Sequence, residues 1–341
     1  MSPVVRLLIK RIATSFIVLV GVSMLIFTIA RVIPGDPARI ALGPNASTEA
    51  VEALRDKLHL NDAFVVQYGY FIADLARGDL GQSLYSNRPV TADIAAYLPA
   101  TLELVFFAGT TMILIGVPLG MLAARYRDRP LDHAIRLFTM LGVSAPDFVW
   151  AVILMLVFAY FLPVFPIAGR ISDSFAVPHV TGFLTIDSLI SGDLAAFGNA
   201  LWHLALPAFA LSFAGIGQSA RLTRANMVET YRKPFIEMAL AFGFPQGRIA
   251  RRFAFKPSMI PSLTVIGLDL ASMLGNAFLV EQIFAWPGLS RYGVAVILRK
   301  DLNAIVGTVL IISAMFLIVN IVVDLLVALI NPRIRLSQRS S

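Results

Sequence analysis

Ile12-Ala13-Thr14-Ser15-Phe16-Ile17-Val18-Leu19-Val20-Gly21-Val22-Ser23-Met24-Leu25-Ile26-Phe27-Thr28-Ile29-Ala30 is a run of 19 residues without Asp, Glu, Lys or Arg. A helix of about 20 apolar residues crosses the roughly 30 Å hydrocarbon core of a bilayer. Two further uncharged runs have that length, Leu104–Ala124 with 21 residues and Phe148–Gly169 with 22. Leu194–Ala220 runs 27 residues and is expected to span from about His203. Pro257–Val280 has 24 residues broken only by Asp269, and Leu302–Val323 has 22 that end against Asp324. The expected fold is an all-α membrane protein with six transmembrane helices, so both ends lie on one side.

The composition agrees. Of 341 residues, 57% are hydrophobic and 14% charged, against about 45–50% and about 25% in soluble domains. A cytosolic enzyme, a disordered chain and a coiled coil are excluded. There is no cysteine, which excludes disulfides, thiolate catalysis and iron–sulfur clusters.

Lys and Arg number 28 against 21 Asp and Glu, a net charge of +7. With a cytoplasmic N-terminus, segments 1–11, 125–136, 221–257 and 331–341 hold 18 of the bases. Segments 31–103, 170–193 and 281–301 hold 10. The first group is about three times denser in bases, so both ends are expected to be cytoplasmic. The bases sit in short loops beside apolar spans, which argues against nucleic acid. Arg6, Lys10 and Arg11 precede the first run as in a signal peptide. That run is longer than a secretory apolar region of about 7–15 residues, so it reads as an uncleaved span.

The expected organisation is a cytoplasmic N-terminus (1–11), a first span (12–30), a helical extracytoplasmic insertion (31–99), a core (100–330) and a cytoplasmic tail (331–341). In the insertion, Ser47 caps a helix with Glu49 and Glu52 in its first turn and Val51, Leu54 and Leu58 in a stripe. A second helix follows Asn61-Asp62, with Phe64, Tyr68, Phe71 and Leu75 on one face and Gly78 closing it. These stripes read as packing faces, with docking of an outside partner as the alternative.

The inside loop 221–257 carries the most regular signal. Pro234 suits the first position of a helix, and Glu237 lies in its first turn, where the dipole favours an anion. Gly243 ends the helix and Pro245 prevents continuation. The spacing predicts a short helix over Pro234–Phe242. Phe235, Met238, Ala239 and Phe242 form one apolar stripe. Such a helix is too short to be stable alone in water, so the stripe needs a partner. Arg248, Arg251, Arg252 and Lys256 follow as a basic face suited to anionic lipid headgroups.

Several chemistries are absent. No lysine follows a glycine, so there is no phosphate-binding loop, and any ATP is bound by another chain. The four histidines form no metal-binding pair. No cofactor and no metal are expected. Ionisable residues in the spans are few: Asp269, Asp324 and Glu103. A charge at mid-bilayer costs roughly 2.5–3.5 kcal/mol on insertion scales and usually faces the bundle interior or a water cavity. These three are the candidate translocation-pathway residues. They also carry a competing reading, a proton-coupled secondary transporter. Asn320 lies one turn before Asp324, where a structural hydrogen bond is the simpler role; Asp269 fits either role.

Glu237-Met238-Ala239-(x)3-Gly243, followed by Ile260-Pro261, resembles the "EAA" loop of ABC-transporter permease subunits. Met238 departs from the small residue of that pattern. Pro34-Gly35-Asp36-Pro37, Gly78-Asp79-Leu80-Gly81-Gln82-Ser83 and Leu98-Pro99-Ala100-Thr101-Leu102-Glu103-Leu104 look like the dipeptide/oligopeptide permease subfamily. So do His203-Leu204-Ala205-Leu206-Pro207, Glu281-Gln282-Ile283-Phe284-Ala285-Trp286-Pro287-Gly288-Leu289 and Asn331-Pro332-Arg333. The resemblance implies a multi-pass inner-membrane permease of a binding-protein-dependent importer, most often of peptides. It implies a second, similar permease, two cytoplasmic ATPase subunits and a substrate-binding protein at the outer face. In that family the loop helix docks on the ATPase. This marks Pro234, Phe235, Glu237, Met238, Ala239, Phe242 and Gly243 as coupling residues, and makes the chain itself no enzyme. Pro118, Pro146, Pro207 and Pro261 are candidate hinges for alternating access.

Overall fold

The computed structural model describes residues 3–32, 37–43, 45–57 and 59–330. Pro34, Gly35 and Asp36, Leu58, and the tail with Asn331-Pro332-Arg333 lie outside the described residues. Among those described, every regular element is a helix except one isolated bridge between Gln82 and Pro89. In chain order the helices are α1 (Pro3–Val32), α2 (Pro37–Leu42), α3 (Thr48–Lys57), α4 (Phe64–Ala76) and α5 (Val90–Arg125). Then come α6 (Pro130–Ser144), α7 (Asp147–Phe161), α8 (Leu184–Ile190), α9 (Leu194–Tyr231) and α10 (Pro234–Ala241). The last are α11 (Gln246–Ile283), α12 (Leu289–Leu298) and α13 (Leu302–Ile330).

Five of these are long and apolar enough to cross a membrane, and α6 with α7 makes a sixth crossing when the bent pair is taken as one. The third crossing differs from the expected apolar span Phe148–Gly169. Its helix ends at Phe161 and is joined to α6 at an angle of 106°. Pro146 is the cause. Its ring disfavours helical backbone at the preceding residue, and Ala145 is extended at φ −136 and ψ 152.

Proline shapes the other long helices differently. Pro207 and Pro261 sit inside continuous helices. Among the described residues, three wide, π-type turns occur, at Met112–Gly116, Met155–Phe161 and Ile249–Ala254. Each lies just before a proline: Pro118, Pro163 and Pro257. A proline removes one ladder bond and crowds the carbonyl four residues back, and the wide turn relieves that crowding.

The chain divides into two compact units. The first comprises Met1–Ile12, Pro99–Gly288 and Met315–Ser341. It is built around α9, whose 38 residues extend about 57 Å at 1.5 Å per residue. Asp193 caps α9 by accepting from the Ala196 amide at 2.8 Å. Small residues let neighbours approach closely. A Cβ at Gly120 would lie 2.5 Å from the Ala220 carbonyl, and one at Gly217 would lie 2.5 Å from the Thr139 carbonyl. Gly116 and Gly120 on α5 thus form the small-xxx-small contact common between membrane helices. Arg224 of α9 grips the fully buried Asp132 of α6 with two bonds of 2.7 and 2.6 Å.

The second unit comprises Ala13–Leu98 and Leu289–Ala314. The core expected over 100–330 therefore loses residues 289–314 to this unit. Leu289, Tyr292, Val296 and Ile305 share an apolar cluster with Ile26, Val90 and Ile94. The helices of the insertion form as expected. Ser47 accepts from the Ala50 amide at 3.2 Å, and Gly78 closes α4 with φ +79. The α4 stripe packs on α1: Phe27 meets Phe64, Tyr68 and Phe71 at ring separations of 5.5, 5.5 and 5.2 Å. The buried carboxylate of Asp301 accepts from Ser83 Oγ at 2.7 Å and from the Tyr85 amide at 3.0 Å.

Candidate functional site

The short helix expected in the inside loop is α10 (Pro234–Ala241). Lys233 precedes it with extended backbone, Pro234 opens it and Glu237 lies in the first turn. It closes with paired bonds, Gly243 N–H to Leu240 O at 2.9 Å and Phe244 N–H to Ala239 O at 3.2 Å. This Schellman closure needs a left-handed residue at Gly243, and its φ is +75.

The helix has two faces. Ile236 and Ala239 are buried in a small cluster with Ala124 of α5, Met227 of α9, and Ile249 and Ala254 of α11. Phe244 packs on the same cluster. Phe235, Met238 and Phe242 point the other way, 38, 57 and 76% exposed. The single stripe read from the sequence is therefore split: Ala239 belongs to the anchoring face. The exposed face holds the two phenylalanines and the methionine, one side chain per turn. Arg248, Arg251, Arg252 and Lys256 are all exposed on the segment that follows.

The three ionisable residues of the spans have different surroundings. Glu103 is 3% exposed. One of its oxygens takes Arg170 at 2.5 Å, and the other takes the amide and hydroxyl of Thr185 at 2.8 and 2.6 Å. Arg170 also donates to the Gly182 carbonyl at 3.1 Å and stacks over Trp286. Asp324 pairs with Arg11 at 2.8 Å. Asp269 lies at the middle of the helical stretch Phe255–Ile283, with its Oδ2 buried and without a hydrogen-bond partner among the described residues. Asn276, two turns along from Asp269 on α11, donates a side-chain hydrogen bond to the carboxylate of Asp147 of α7.

Residues 170–187 form a pinned loop. Asp187, 2% exposed, accepts from the Thr181 hydroxyl and amide at 2.7 and 2.8 Å, the Gly182 amide at 3.0 Å and the Val180 amide at 3.3 Å. Burial pushes its carboxyl up, but these four donors together hold it below the usual carboxylate range.

Sequence reasoning missed Arg170, Asp132, Arg224 and Asp147. One signal was present for Arg170, the only base in segment 170–193. The others lie near helix ends, where a charge reads as solvated. Stretches quoted separately also meet. Trp286 Nε1 donates to the Ala100 carbonyl at 2.9 Å, and Thr101 Oγ1 donates to Glu281 at 2.5 Å. A Cβ at Gly288 would lie 2.3 Å from Glu281 Oε1, so the turn after α11 closes directly over that carboxylate.

Comparison with known proteins agrees with this architecture. Residues 116–336 match the model of the binding-protein-dependent transport system inner membrane component. Residues 4–105 match the N-terminal model of the same membrane components. The chain is 41% identical over 319 residues to a probable D,D-dipeptide transport system permease protein of Escherichia coli (strain K12), covering 93% of this chain and 94% of the relative. It is 37% identical to the dipeptide transport system permease protein of Alkalihalophilus pseudofirmus, with 96 and 98% covered. It is 34% identical to the dipeptide permease of Escherichia coli (strain K12), with 97 and 98% covered. Such components are transport permeases of the inner membrane that work with a substrate-binding protein and with ATP hydrolysis on separate subunits. That leaves the proton-coupled reading unsupported, and two of its three carboxylates are held in ion pairs. The chain belongs to the inner-membrane permease components of binding-protein-dependent transport systems.

Proposed function

We propose that this chain forms half of the translocation pathway of an ATP-driven importer of di- and oligopeptides. A second, homologous permease completes the pathway, and two cytoplasmic ATPase subunits drive it. The observation that carries this reading is the two-faced α10. Ile236 and Ala239 anchor it to the ends of three long helices, while Phe235, Met238 and Phe242 are left outward. An anchored rod with an uncovered apolar face is the shape of a part that receives force from another protein. The relatives' names, which specify dipeptides at 34–41% identity, support the peptide substrate.

The mechanism is alternating access. ATP-driven closure of the ATPases draws the two α10 rods together, and their anchoring clusters pass that motion to the long helices. A nucleotide or substrate shifts such an equilibrium only by its differential affinity for the two states. Pro146 at the bend and the three wide turns before Pro118, Pro163 and Pro257 are where the spans yield. Asp269 lines the pathway, supported by its mid-helix position and its unpartnered buried oxygen. Glu103 and Asp324 serve as latches at span ends.

The test is Met238→Asp with Phe242→Asp. Burial of each side chain contributes about 1.5–3 kcal/mol, so the pair of changes is expected to cut ATPase co-purification more than about tenfold while the permease still inserts. Undiminished co-purification and uptake would refute the coupling role.

A further inference from the structure

A cavity of about 280 Å³ lies behind α10, on the side away from Phe235, Met238 and Phe242. It is just below the ~300–1,000 Å³ of ordinary small-molecule sites. Ile236 and Leu240 of the rod form one wall, and Val228 and Ile249 belong to the apolar floor. Its polar lining is Arg125, Arg127, Tyr231, Arg232 and Gln246.

Three arginines border one small cavity whose lining holds no acid. Arg127 pairs with its neighbour Asp128 at 3.1 Å. Arg125 lies over the Tyr126 ring, and neither it nor Arg232 makes an ion pair among the described residues. Arg125 ends α5 and Arg232 ends α9, where a base also complements the helix dipole. The dipole accounts for neither Arg127 nor the shared opening. Guanidinium groups are weakly hydrated and match phosphate oxygens in a two-bond fork. A Tyr hydroxyl and a Gln amide add neutral donors.

We propose that this cavity binds a phosphate-bearing anion, either the headgroup of an anionic phospholipid or a free phosphate compound. The bound anion would tie Arg125, at the end of one span, to Arg232, at the root of the rod. Occupancy would then set how stiffly α10 is joined to the transmembrane helices. The site is separate from the ATPase-facing stripe, so the binding measurement stands whether or not the coupling role does.

The experiment is native mass spectrometry of the chain in its intact assembly. The samples are nanodiscs of phosphatidylcholine alone, phosphatidylcholine doped with phosphatidylglycerol, and phosphatidylcholine alone with added inorganic phosphate. An adduct retained only with phosphatidylglycerol identifies the lipid headgroup; one retained only with added phosphate identifies a soluble anion. R125Q/R232Q is expected to lower retention at least about tenfold, since charge-assisted bonds of that kind are each worth about one decade. R251Q/R252Q, on the exposed basic face, is expected to leave it unchanged. Should R125Q/R232Q fail to assemble, R125K/R232K keeps the charge, loses the fork and is expected to show the same loss. No adduct in either arm, or equal loss in R251Q/R252Q, would overturn the proposal.

Discussion

Asp187 shows how one buried carboxylate organises a loop that has little regular structure. Its donors come from three consecutive residues, Val180, Thr181 and Gly182. The folded carboxyl titrates below its ordinary value. Its contribution is therefore fully present above the ordinary carboxylate pKa and is lost as pH falls through the lowered folded value. Asp187→Ala removes the acceptor of the buried Gly182 amide and of the part-buried Val180 and Thr181 amides, at a cost of about 1–3 kcal/mol. Limited proteolysis of segment 170–193 is expected to be slow in the parent down to mildly acidic pH, and fast in Asp187→Ala even at neutral pH. Equal rates at neutral pH would contradict that role. Nothing in the sequence announced Asp187, because its partners are mostly backbone amides, which every residue carries.

Among the helices, α9 shows why small residues matter. A Cβ at Gly116, Gly120 or Gly142 on its neighbours, or at Gly217 on α9 itself, would press on the backbone across the contact. In lipid there is little hydrophobic drive between helices, so association rests on close packing. Gly120→Val places a Cβ 2.5 Å from the Ala220 carbonyl, and overpacking of this kind costs about 1–3 kcal/mol or more. The variant is expected to insert but to lose thermal stability in detergent, read by a lowered melting temperature. An unchanged melting temperature would mean that α5 and α9 do not meet there. The rod α10 makes the opposite point. Its start, stop and length were legible from Pro234, Glu237, Gly243 and Pro245, since capping is local. Which side of the stripe is free was not legible: it depends on Met227 and Ile249, which come from other helices.

At the level of the molecule, two features remain for direct measurement. Both ends are proposed to be cytoplasmic, on the strength of the Lys/Arg asymmetry. The chain has no cysteine, so single introduced thiols report sidedness cleanly. Arg251→Cys is expected to label only from the inner face and Asn61→Cys only from the outer face; the reverse pattern would invert the topology. The second feature is Asp269. Asp269→Asn removes a charge but keeps the shape, so assembly with the ATPase should persist while peptide uptake falls about tenfold, the worth of one charge-assisted hydrogen bond. Uptake at the parent rate would assign Asp269 a purely structural place. The Glu103 carboxylate joins residues 67 and 82 positions away, Arg170 and Thr185, a pairing only the fold creates.

The sequence alone determined that the chain carries about six apolar helical spans, and where the short helix α10 begins and ends. Both are local properties: a crossing needs an unbroken apolar run, and a cap needs the right residue at the right offset. Only the tertiary structure decided that the third crossing is bent at Pro146 and that residues 289–314 pack with the insertion. It alone also decided that Glu103 and Asp324 are consumed by arginines while an oxygen of Asp269 is left over. Those outcomes depend on which distant groups arrive beside a given side chain, and a charge placed in an apolar layer is defined by its neighbours.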